Sequence, residues 1–338
     1  MKIIDLEAHF YTQTYIEYLR NRKTVPREDR DESIIRLWYD DRLWAPRSFA
    51  VEEKLLDLGK NRIKEMDAAG IDMQVISLTN PNVQLFETAE GTIWARKVND
   101  EVSGILREYP GRFIGLATVA PQSPDEAAAE LERAVTELGF KGVVVQSHAR
   151  NEYLDDKKYW PIFERAEKFD VPVYIHPIVP STSILKPFSD YGYPLAGPIL
   201  GFAFDVALHV MRLIYSGLFD RYPDLKIILG HLGEGLPYWL PRLDFYWEKK
   251  WMGSKRPPIS ARPSDYLKRN FTVTTSGIFF QPALMCSYLA LGAERIAFAV
   301  DYPYEDIGEA LQCIKEAPFC DTDKEKIYHL NAEKLFKL

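Results

Sequence analysis

Short apolar runs recur along the chain and alternate with longer segments of helical periodicity. The runs are rich in β-branched residues and nearly continuous in apolar side chains, which is typical of strands buried on both faces of a parallel sheet. The pattern predicts eight strands, at residues 2–7, 72–79, 113–120, 142–147, 171–177, 226–233, 271–277 and 296–303.

Helical segments separate most of these predicted strands. Residues 51–70 carry apolar side chains at helical spacing and end at Gly70, and residues 123–139 begin with Pro124 in the first turn. The same spacing appears in residues 156–169 and 308–317. Strands and helices in this order and number predict a (β/α)8 TIM barrel rather than a doubly wound sheet.

Three segments fall outside the alternation, at residues 20–50, 178–199 and 249–268. The first is charged and the other two are rich in Pro, and each lies after a strand or inside a βα unit. We interpret them as insertions in the βα loops at the mouth of the barrel. Because the chain has no linker, repeat or low-complexity tail, we expect residues 1–338 to form one domain.

Composition narrows the class of protein. The hydrophobic content of 46% and the charged content of 27% are ordinary for a globular protein. A formal net charge of −7 offers no basic surface for nucleic acid or for an anionic membrane. No apolar window approaches the roughly 18 residues of a membrane span. Three widely spaced cysteines, Cys286, Cys313 and Cys320, predict reduced thiols and a cytoplasmic location.

Polar side chains end several predicted strands, at the mouth where this fold places its chemistry. Glu7 and His9 follow the first strand on the same side of the chain, His176 ends the fifth and Asp301 the eighth. Considered alone, His176 is typical of a hydrogen-bonded histidine in the core, and Asp301 is typical of a helix N-cap. Together they predict a site, because buried charges are costly unless paired or metal-bound. Two carboxylates and two imidazoles suit a divalent cation.

A second pair follows the sixth strand, where His231 and Glu234 lie three residues apart. A carboxylate that orients an imidazole is the usual arrangement for acid–base chemistry. Arg242 comes eight residues after Glu234, about 12 Å farther along a helix, so we expect that it does not reach the metal centre of its own chain. A local ion pair and an anion in a neighbouring subunit both remain open for this arginine.

Aromatic residues near the strand ends suit either packing or contacts with a substrate ring; they are Phe10, Trp44, Tyr302 and Tyr304. The remaining histidines are less informative. His148 lies in a polar loop within reach of the mouth, whereas His209 and His329 lie in helical segments and are assigned to packing or solvent.

The stretches LEAHF, YIHP, YPDLKIILGHLGEGLPY, AVDYPYE and NAEKLF resemble the amidohydrolase-related decarboxylases, in order and over nearly the whole chain. The resemblance implies that Glu7, His9, His176 and Asp301 are metal ligands and that His231 and Glu234 are the catalytic pair. Glu7 stands where the semialdehyde-decarboxylase branch has a histidine, so the motif is closest to the γ-resorcylate and 2,3-dihydroxybenzoate decarboxylases. The fourth strand lacks the carbamylated lysine of binuclear hydrolases, which implies a mononuclear site.

The resemblance also implies a reaction and an assembly. The expected reaction is non-oxidative decarboxylation of an ortho-hydroxylated aromatic acid, with Asp301 protonating the ring carbon before CO2 leaves. The expected cofactor is one divalent ion per chain, Zn²⁺ first, with Mn²⁺ or Mg²⁺ as alternatives. Arg242 corresponds to an arginine that enters the adjacent subunit's site in some members, which implies a homodimer or a dimer-based tetramer, and Tyr304 corresponds to a substrate-side position. The alternatives are a metal-dependent hydrolase of a lactone or amide, and a catalytically silent barrel.

Overall fold

The computed structural model describes residues 1–249 and 257–338. Eight parallel strands form a barrel in the order β1, β5, β6, β7, β8, β9, β10, β11. Their bounds are Ile4–Phe10 (β1), Met73–Leu78 (β5), Phe113–Thr118 (β6), Gly142–Gln146 (β7), Val173–His176 (β8), Ile227–Leu229 (β9), Phe271–Thr274 (β10) and Ile296–Ala297 (β11). The predicted (β/α)8 barrel is confirmed.

Helices surround the barrel and fill the connections between strands. The α-helices span Gln13–Asn21, Phe49–Leu56, Lys60–Ala69, Thr88–Glu108, Pro124–Thr136, Trp160–Phe169, Thr182–Ser189, Gly201–Tyr215, Leu218–Arg221, Leu236–Trp247, Pro263–Asn270, Gln281–Leu291, Ile307–Glu316, Asp321–Glu325 and Asn331–Phe336. Short 3₁₀ or π turns occupy Lys157–Tyr159, Leu195–Ile199, Ala293–Arg295 and Lys326–Leu330. No helix in the described ranges is both long and apolar enough to cross a membrane.

The barrel closes where the segment after β11 runs beside β1. The backbone N–H of Leu6 donates to the carbonyl of Phe298 at 3.0 Å, and that of Asp301 donates to the carbonyl of Glu7 at 3.0 Å. Side chains from the inner faces of the strands fill the lumen below this seam, with Leu6, Val75 and Ile228 all buried. The barrel is therefore a packed core and its chemistry is confined to one end.

The predicted insertion at residues 20–50 contains regular structure that the sequence pattern did not indicate. Strands β2 (Arg27–Arg30), β3 (Ile35–Trp38) and β4 (Trp44–Arg47) form an antiparallel sheet, here called the roof sheet. Each strand has only four residues, and all four residues of β2 are charged, so period-two hydrophobicity is weak. The sequence therefore predicted a loop where the chain forms a small sheet.

Two further boundaries differ from the prediction. The helix predicted at 51–70 is two helices, because the chain breaks at Asp57–Gly59, where the Asp57 carboxylate accepts a hydrogen bond from the Gly59 N–H at 2.8 Å. The first strand extends to Phe10 rather than ending at Glu7. Gly70 ends its helix in the left-handed conformation (φ 76°), as predicted.

The third predicted insertion, 249–268, is described only in part, since residues 250–256 lie outside the described ranges. Its described part packs away from the mouth. The N–H of Ser260 donates to the carboxylate of Asp220 at 3.0 Å, and Asp220 belongs to the short helix that precedes β9. This contact lies at the end of the barrel where β9 begins, so the described part of this segment does not cover the mouth.

Candidate metal and catalytic site

Four polar side chains converge at the carboxyl end of the barrel. The Nε2 atom of His9 lies 3.6 Å from Oε1 of Glu7 and 3.0 Å from Oδ1 of Asp301, and Nε2 of His176 lies 3.7 Å from the same Glu7 oxygen. One ligand atom each from Glu7, His9 and His176 falls within 4.8 Å of the others. The sequence-predicted set is thus brought together, with the Asp301 carboxylate against the His9 imidazole.

The cluster has the properties of a cation site. Both carboxylate oxygens of Glu7 and the Nε2 atom of His9 are buried and make no hydrogen bond within the described structure. Buried polar atoms without partners are costly, and a cation would satisfy all three. Two carboxylates beside two imidazoles also supply the charge and the donor types that divalent ions prefer. The residues present therefore fit a divalent metal ion.

Neighbouring strands orient the two imidazoles. His176 Nδ1 lies 3.2 Å from Oε1 of Gln146, the last residue of β7, and His9 Nδ1 lies 3.2 Å from the hydroxyl of Ser77 on β5. A carbonyl oxygen only accepts, so His176 donates from Nδ1 and presents the Nε2 lone pair to the cluster. Sequence reasoning missed Gln146 and Ser77, although both stand at the ends of predicted strands.

His231 and Glu234 form the predicted pair. His231 Nδ1 lies 2.7 Å from Oε1 of Glu234, and its Nε2 lies 3.8 Å from Oδ2 of Asp301. The backbone bends sharply here: His231, Leu232 and Glu234 all have positive φ, between 51° and 53°. This left-handed turn aims one imidazole nitrogen at Glu234 and the other at Asp301.

Charge coupling shifts the pKa values of the acids and bases. Burial alone would lower the pKa of His231, but the neighbouring carboxylates of Glu234 and Asp301 raise it well above its usual value. Burial alone would raise the pKa of Asp301, but the neighbouring imidazoles of His231 and His9 outweigh that effect and lower it. In His176 burial dominates and lowers the pKa to about 3. At neutral pH His231 is therefore protonated and Asp301 is ionised.

A cavity of about 430 Å³ opens above the cluster. His176, His231 and Asp301 belong to its polar floor, whereas apolar side chains such as Phe202 and Leu37 belong to its walls. Both the roof sheet and the 178–199 segment contribute lining residues, so these two predicted insertions do shape the pocket. Tyr304 also lines the cavity, with its hydroxyl 3.0 Å from that of Thr79, and its contact with substrate stays a prediction.

The roof sheet places a positively charged side chain, that of Arg47, at the cavity wall, and sequence reasoning missed it. Arg47 is 7% exposed and lines the cavity, donating from Nη1 to Glu28 at 2.9 Å and from Nη2 to the Tyr11 hydroxyl at 2.5 Å. The sequence contains 42 lysines and arginines, and only the pairing of the roof strands singles out this one. A buried guanidinium at a cavity wall is a recognition group for a carboxylate.

Three predicted substrate contacts lie elsewhere. Phe10 is buried in the hydrophobic core, and Trp44 packs against Trp38 on the roof sheet at 6.1 Å between ring centroids. Arg242 is exposed on the helix Leu236–Trp247, with its guanidinium carbon 5.1 Å from the centre of the Tyr246 ring. None of the three lines the cavity of its own chain, so their proposed contacts with substrate stay predictions.

Comparison with known proteins agrees with this geometry. The family model described as Amidohydrolase matches residues 4–338. The γ-resorcylate decarboxylase of Polaromonas sp. is 38% identical over 296 residues, which cover 85% of this chain and 90% of that protein. The crystal structure of 5-carboxyvanillate decarboxylase from Sphingomonas paucimobilis is 36% identical, with a TM-score of 0.89, covering 100% of this chain and 99% of that one.

A third similar structure bears on the metal. The dihydroxybenzoic acid decarboxylase from Polaromonas sp., solved with bound manganese and the inhibitor 2-nitroresorcinol, is 36% identical with a TM-score of 0.86, covering 100% of this chain and 97% of that one. A barrel with ionisable residues at its carboxyl end and a family match over almost its whole length admit one assignment: this chain belongs to the Amidohydrolase family.

Proposed function

We propose that this protein is a metal-dependent, non-oxidative decarboxylase of an ortho-hydroxylated aromatic acid. One observation carries the proposal: Asp301 lies between the His9 cluster and His231 at the floor of a cavity large enough for one substituted benzene ring. The similarity to γ-resorcylate and 5-carboxyvanillate decarboxylases supports this chemistry over the hydrolase alternative.

We infer that Glu7, His9, His176 and Asp301 hold one divalent cation. Such an ion supplies a positive charge that attracts the phenolic and carboxylate oxygens of a hydroxybenzoate. Manganese in the similar dihydroxybenzoic acid decarboxylase supports Mn²⁺ as the first ion to test. The preference for Zn²⁺ drawn from the sequence stays a prediction.

The substrate would enter with its carboxylate towards the polar floor of the cavity. Arg47 stands at the cavity wall as the cation that meets the carboxylate in the same chain. Apolar side chains, among them Leu37 and Phe202, would pack against the ring and exclude water. The position of Tyr304 beside them suits a contact with the ring or with its hydroxyl group.

Proton transfer follows from the pair of His231 and Asp301. Because the resting proton is on His231, Asp301 first takes it and then delivers it to the ring carbon that bears the carboxylate. The ring transiently loses aromaticity; the bond to the carboxylate then breaks, its electron pair returns to the ring and CO2 leaves. Glu234 stabilises the imidazolium before this transfer, and a proton from solvent restores the imidazolium after CO2 has left.

We also propose that two copies of the chain associate through the surface that contains Arg242. On the helix Leu236–Trp247 the exposed side chains of Tyr238 and Phe245 flank Arg242 at helical spacing. The neighbouring helix Gly201–Tyr215 adds the exposed Phe204, whose ring centroid lies 6.4 Å from that of Trp239. An exposed aromatic surface of this kind is typical of a protein interface, and a partner copy would give Arg242 a site to enter.

The proposed function is tested by metal loading and CO2 release. We expect purified protein to bind about one Mn²⁺ per chain and to release CO2 from at least one member of a panel of hydroxybenzoates and carboxyvanillate-type acids. Asp301→Asn should lower kcat roughly 100- to 10,000-fold, because the proton donor is lost. Asp306→Asn is the control, since Asp306 caps the next helix at the surface. Metal binding with hydrolysis of lactones and no CO2 would contradict the proposal.

A further inference from the structure

The pairing register of the first barrel strand shifts at Leu6 and Glu7, and Glu7 is the first of the proposed metal ligands. Ile4 pairs with Met73 and Asp5 with Gln74, but the next pair is Ala8 with Ile76. Leu6 and Glu7 together therefore face a single residue of β5, which is the arrangement of a β-bulge. The extra residue resets which side chains point into the barrel.

The bulge is what makes Glu7 and His9 ligands rather than packing residues. Ile4 and Leu6 belong to the apolar cluster that fills the lumen, whereas Ala8 and Phe10 pack in the outer core. An unbroken alternation would send Glu7 outward with Asp5, towards the helices. Whatever stabilises the bulge therefore decides whether the Glu7 carboxylate reaches the cluster.

The side chain of Asp5 spans this irregular stretch. It is fully buried; its Oδ1 accepts hydrogen bonds from the N–H of Glu7 at 3.1 Å and from the N–H of Val300 at 2.9 Å. Its Oδ2 accepts from Nε2 of Gln74 at 3.1 Å. One carboxylate thus joins the bulged strand β1, its neighbour β5 and the segment after β11.

The two backbone groups held by Asp5 lie next to the cluster. Val300 immediately precedes Asp301, whose φ of 76° places it in the left-handed region, and the carbonyl of Glu7 accepts from the N–H of Asp301 and from that of Tyr302. Strand β11 itself has only two residues of regular pairing. The side chain of Asp5 replaces ladder hydrogen bonds that this corner of the barrel lacks.

We propose that Asp5 is a positioning residue that sets the separation of Glu7 and Asp301 and so tunes cation affinity. The inference rests on the proposed metal function, because it concerns the same cation. Asp5 is not part of the group formed by Glu7, His9 and His176, and both of its carboxylate oxygens accept hydrogen bonds from other groups; it acts through the amides of Glu7 and Val300. Partners that orient metal ligands contribute to affinity without touching the metal.

The test compares Mn²⁺ affinity in Asp5→Ala, Asp5→Asn and a matched control. Asn99→Ala is the control, because Asn99 is likewise buried and makes three hydrogen bonds, to Thr118 twice and to Glu130, at a distance from the ligands. Metal-stripped protein is titrated with Mn²⁺, the free ion is measured by electron paramagnetic resonance, and the melting temperature is recorded for each variant.

We expect Asp5→Ala to weaken Mn²⁺ binding about 10- to 100-fold, the range found when orienting partners are removed. Asp5→Asn should give a smaller loss, because its amide oxygen still accepts but without the charge. Asn99→Ala should bind as the wild type does, even where its melting temperature falls by a similar amount. If Asp5→Ala fails to fold, the comparison of Asp5→Asn with Asn99→Ala decides.

Equal Mn²⁺ affinity in the Asp5 variants and the control would overturn the positioning role. A wild-type protein that binds no Mn²⁺, Zn²⁺ or Mg²⁺ would instead overturn the proposed metal function itself. The two failures are distinguishable, because the first leaves a wild-type binding curve and the second does not.

Discussion

At the scale of single residues, the site depends on backbone conformations that side chains rarely adopt. His231, Leu232 and Glu234 occupy the left-handed region, at a cost of about 1–2 kcal/mol for each non-glycine residue. Gly233 separates them at φ 84°, and a Cβ there would come within 3.0 Å of Pro237. The turn is retained because it orients both nitrogens of His231, and strain of this kind is common at functional sites.

Another buried histidine, His209, supplies a prediction about pH. It is fully buried on the helix Gly201–Tyr215, its Nε2 accepts from the N–H of Leu154 at 3.3 Å, and burial lowers its pKa to about 3. In the unfolded chain this imidazole has an ordinary pKa near 6.5, so below that pH it binds a proton that the folded chain does not bind. The free energy of unfolding therefore decreases as the pH falls below 6.5.

His209→Gln should remove that cost and keep an acceptor for the Leu154 N–H. Between pH 7 and pH 5 the free energy of unfolding of the wild type should fall by about 2 kcal/mol more than that of the variant, at about 1.4 kcal/mol per pH unit below pH 6.5. Denaturant unfolding at the two pH values measures the difference. A gap between wild type and variant that does not change with pH would show that the imidazole titrates normally.

At the scale of elements, the roof sheet forms part of the cavity wall and carries Arg47. Charged residues of the sheet pair with one another and with the two flanking helices: Glu28 accepts from Arg20 and Arg47 at 2.9 Å each, and Glu52 accepts from Arg20 at 2.7 Å. This network holds Arg47 against the cavity wall. A barrel with the same floor and another insertion would present a different group to the substrate.

Arg47→Met should therefore raise KM far more than it lowers kcat. Loss of a charge-assisted contact worth roughly 1.5–3 kcal/mol corresponds to an increase in KM of about 10- to 100-fold for the hydroxybenzoate that the wild type turns over. Arg47→Lys should recover part of the loss through its charge. Arg36→Met is the control, because Arg36 lies on the same sheet and pairs with Asp31 away from the cavity. Matching KM values in the Arg47 and Arg36 variants would exclude Arg47 from the substrate site.

At the scale of the whole molecule, an exposed aromatic surface and a distant arginine point to assembly. The side chain of Tyr238 is 75% exposed and that of Phe245 is 53% exposed, which is unusual for side chains of this size in a monomer. Arg242 lies between them on the helix and does not line the cavity of its own chain. A second copy is the partner that would explain both features.

Tyr238→Glu should convert the dimer to a monomer, because a carboxylate in the buried centre of an interface is left without a partner. Sedimentation velocity at several protein concentrations measures the state of association. Ile93→Glu serves as the control, since Ile93 is 64% exposed on the helix Thr88–Glu108, outside the proposed interface. A Tyr238→Glu variant with the same sedimentation coefficient as the wild type would show that the interface lies elsewhere. A monomeric wild type would contradict the proposed dimer.

Local pattern by itself determined the barrel and most of its polar floor. Continuous apolar runs are long enough to identify buried strands, and a charge that ends such a run, as in His176 and Asp301, is visible without any partner. The pairing of His231 with Glu234 also followed from their spacing, because three residues bring two side chains to one turn. Helix boundaries were less well predicted where a single aspartate, Asp57, breaks a periodic segment.

Only the tertiary structure decided how these residues meet. Beside the bulge in β1, the Asp5 carboxylate accepts hydrogen bonds from Gln74 and Val300, which are 69 and 295 residues away along the chain, and no local period records these contacts. The placement of Arg47 depends on three short strands whose pairing outweighs their weak hydrophobic pattern. Hydrophobic periodicity indicates which side of an element is buried against its nearest neighbour. Strand register and the packing of insertions are instead set by contacts between segments that are distant along the chain, and the cavity wall around Arg47 is built from such contacts.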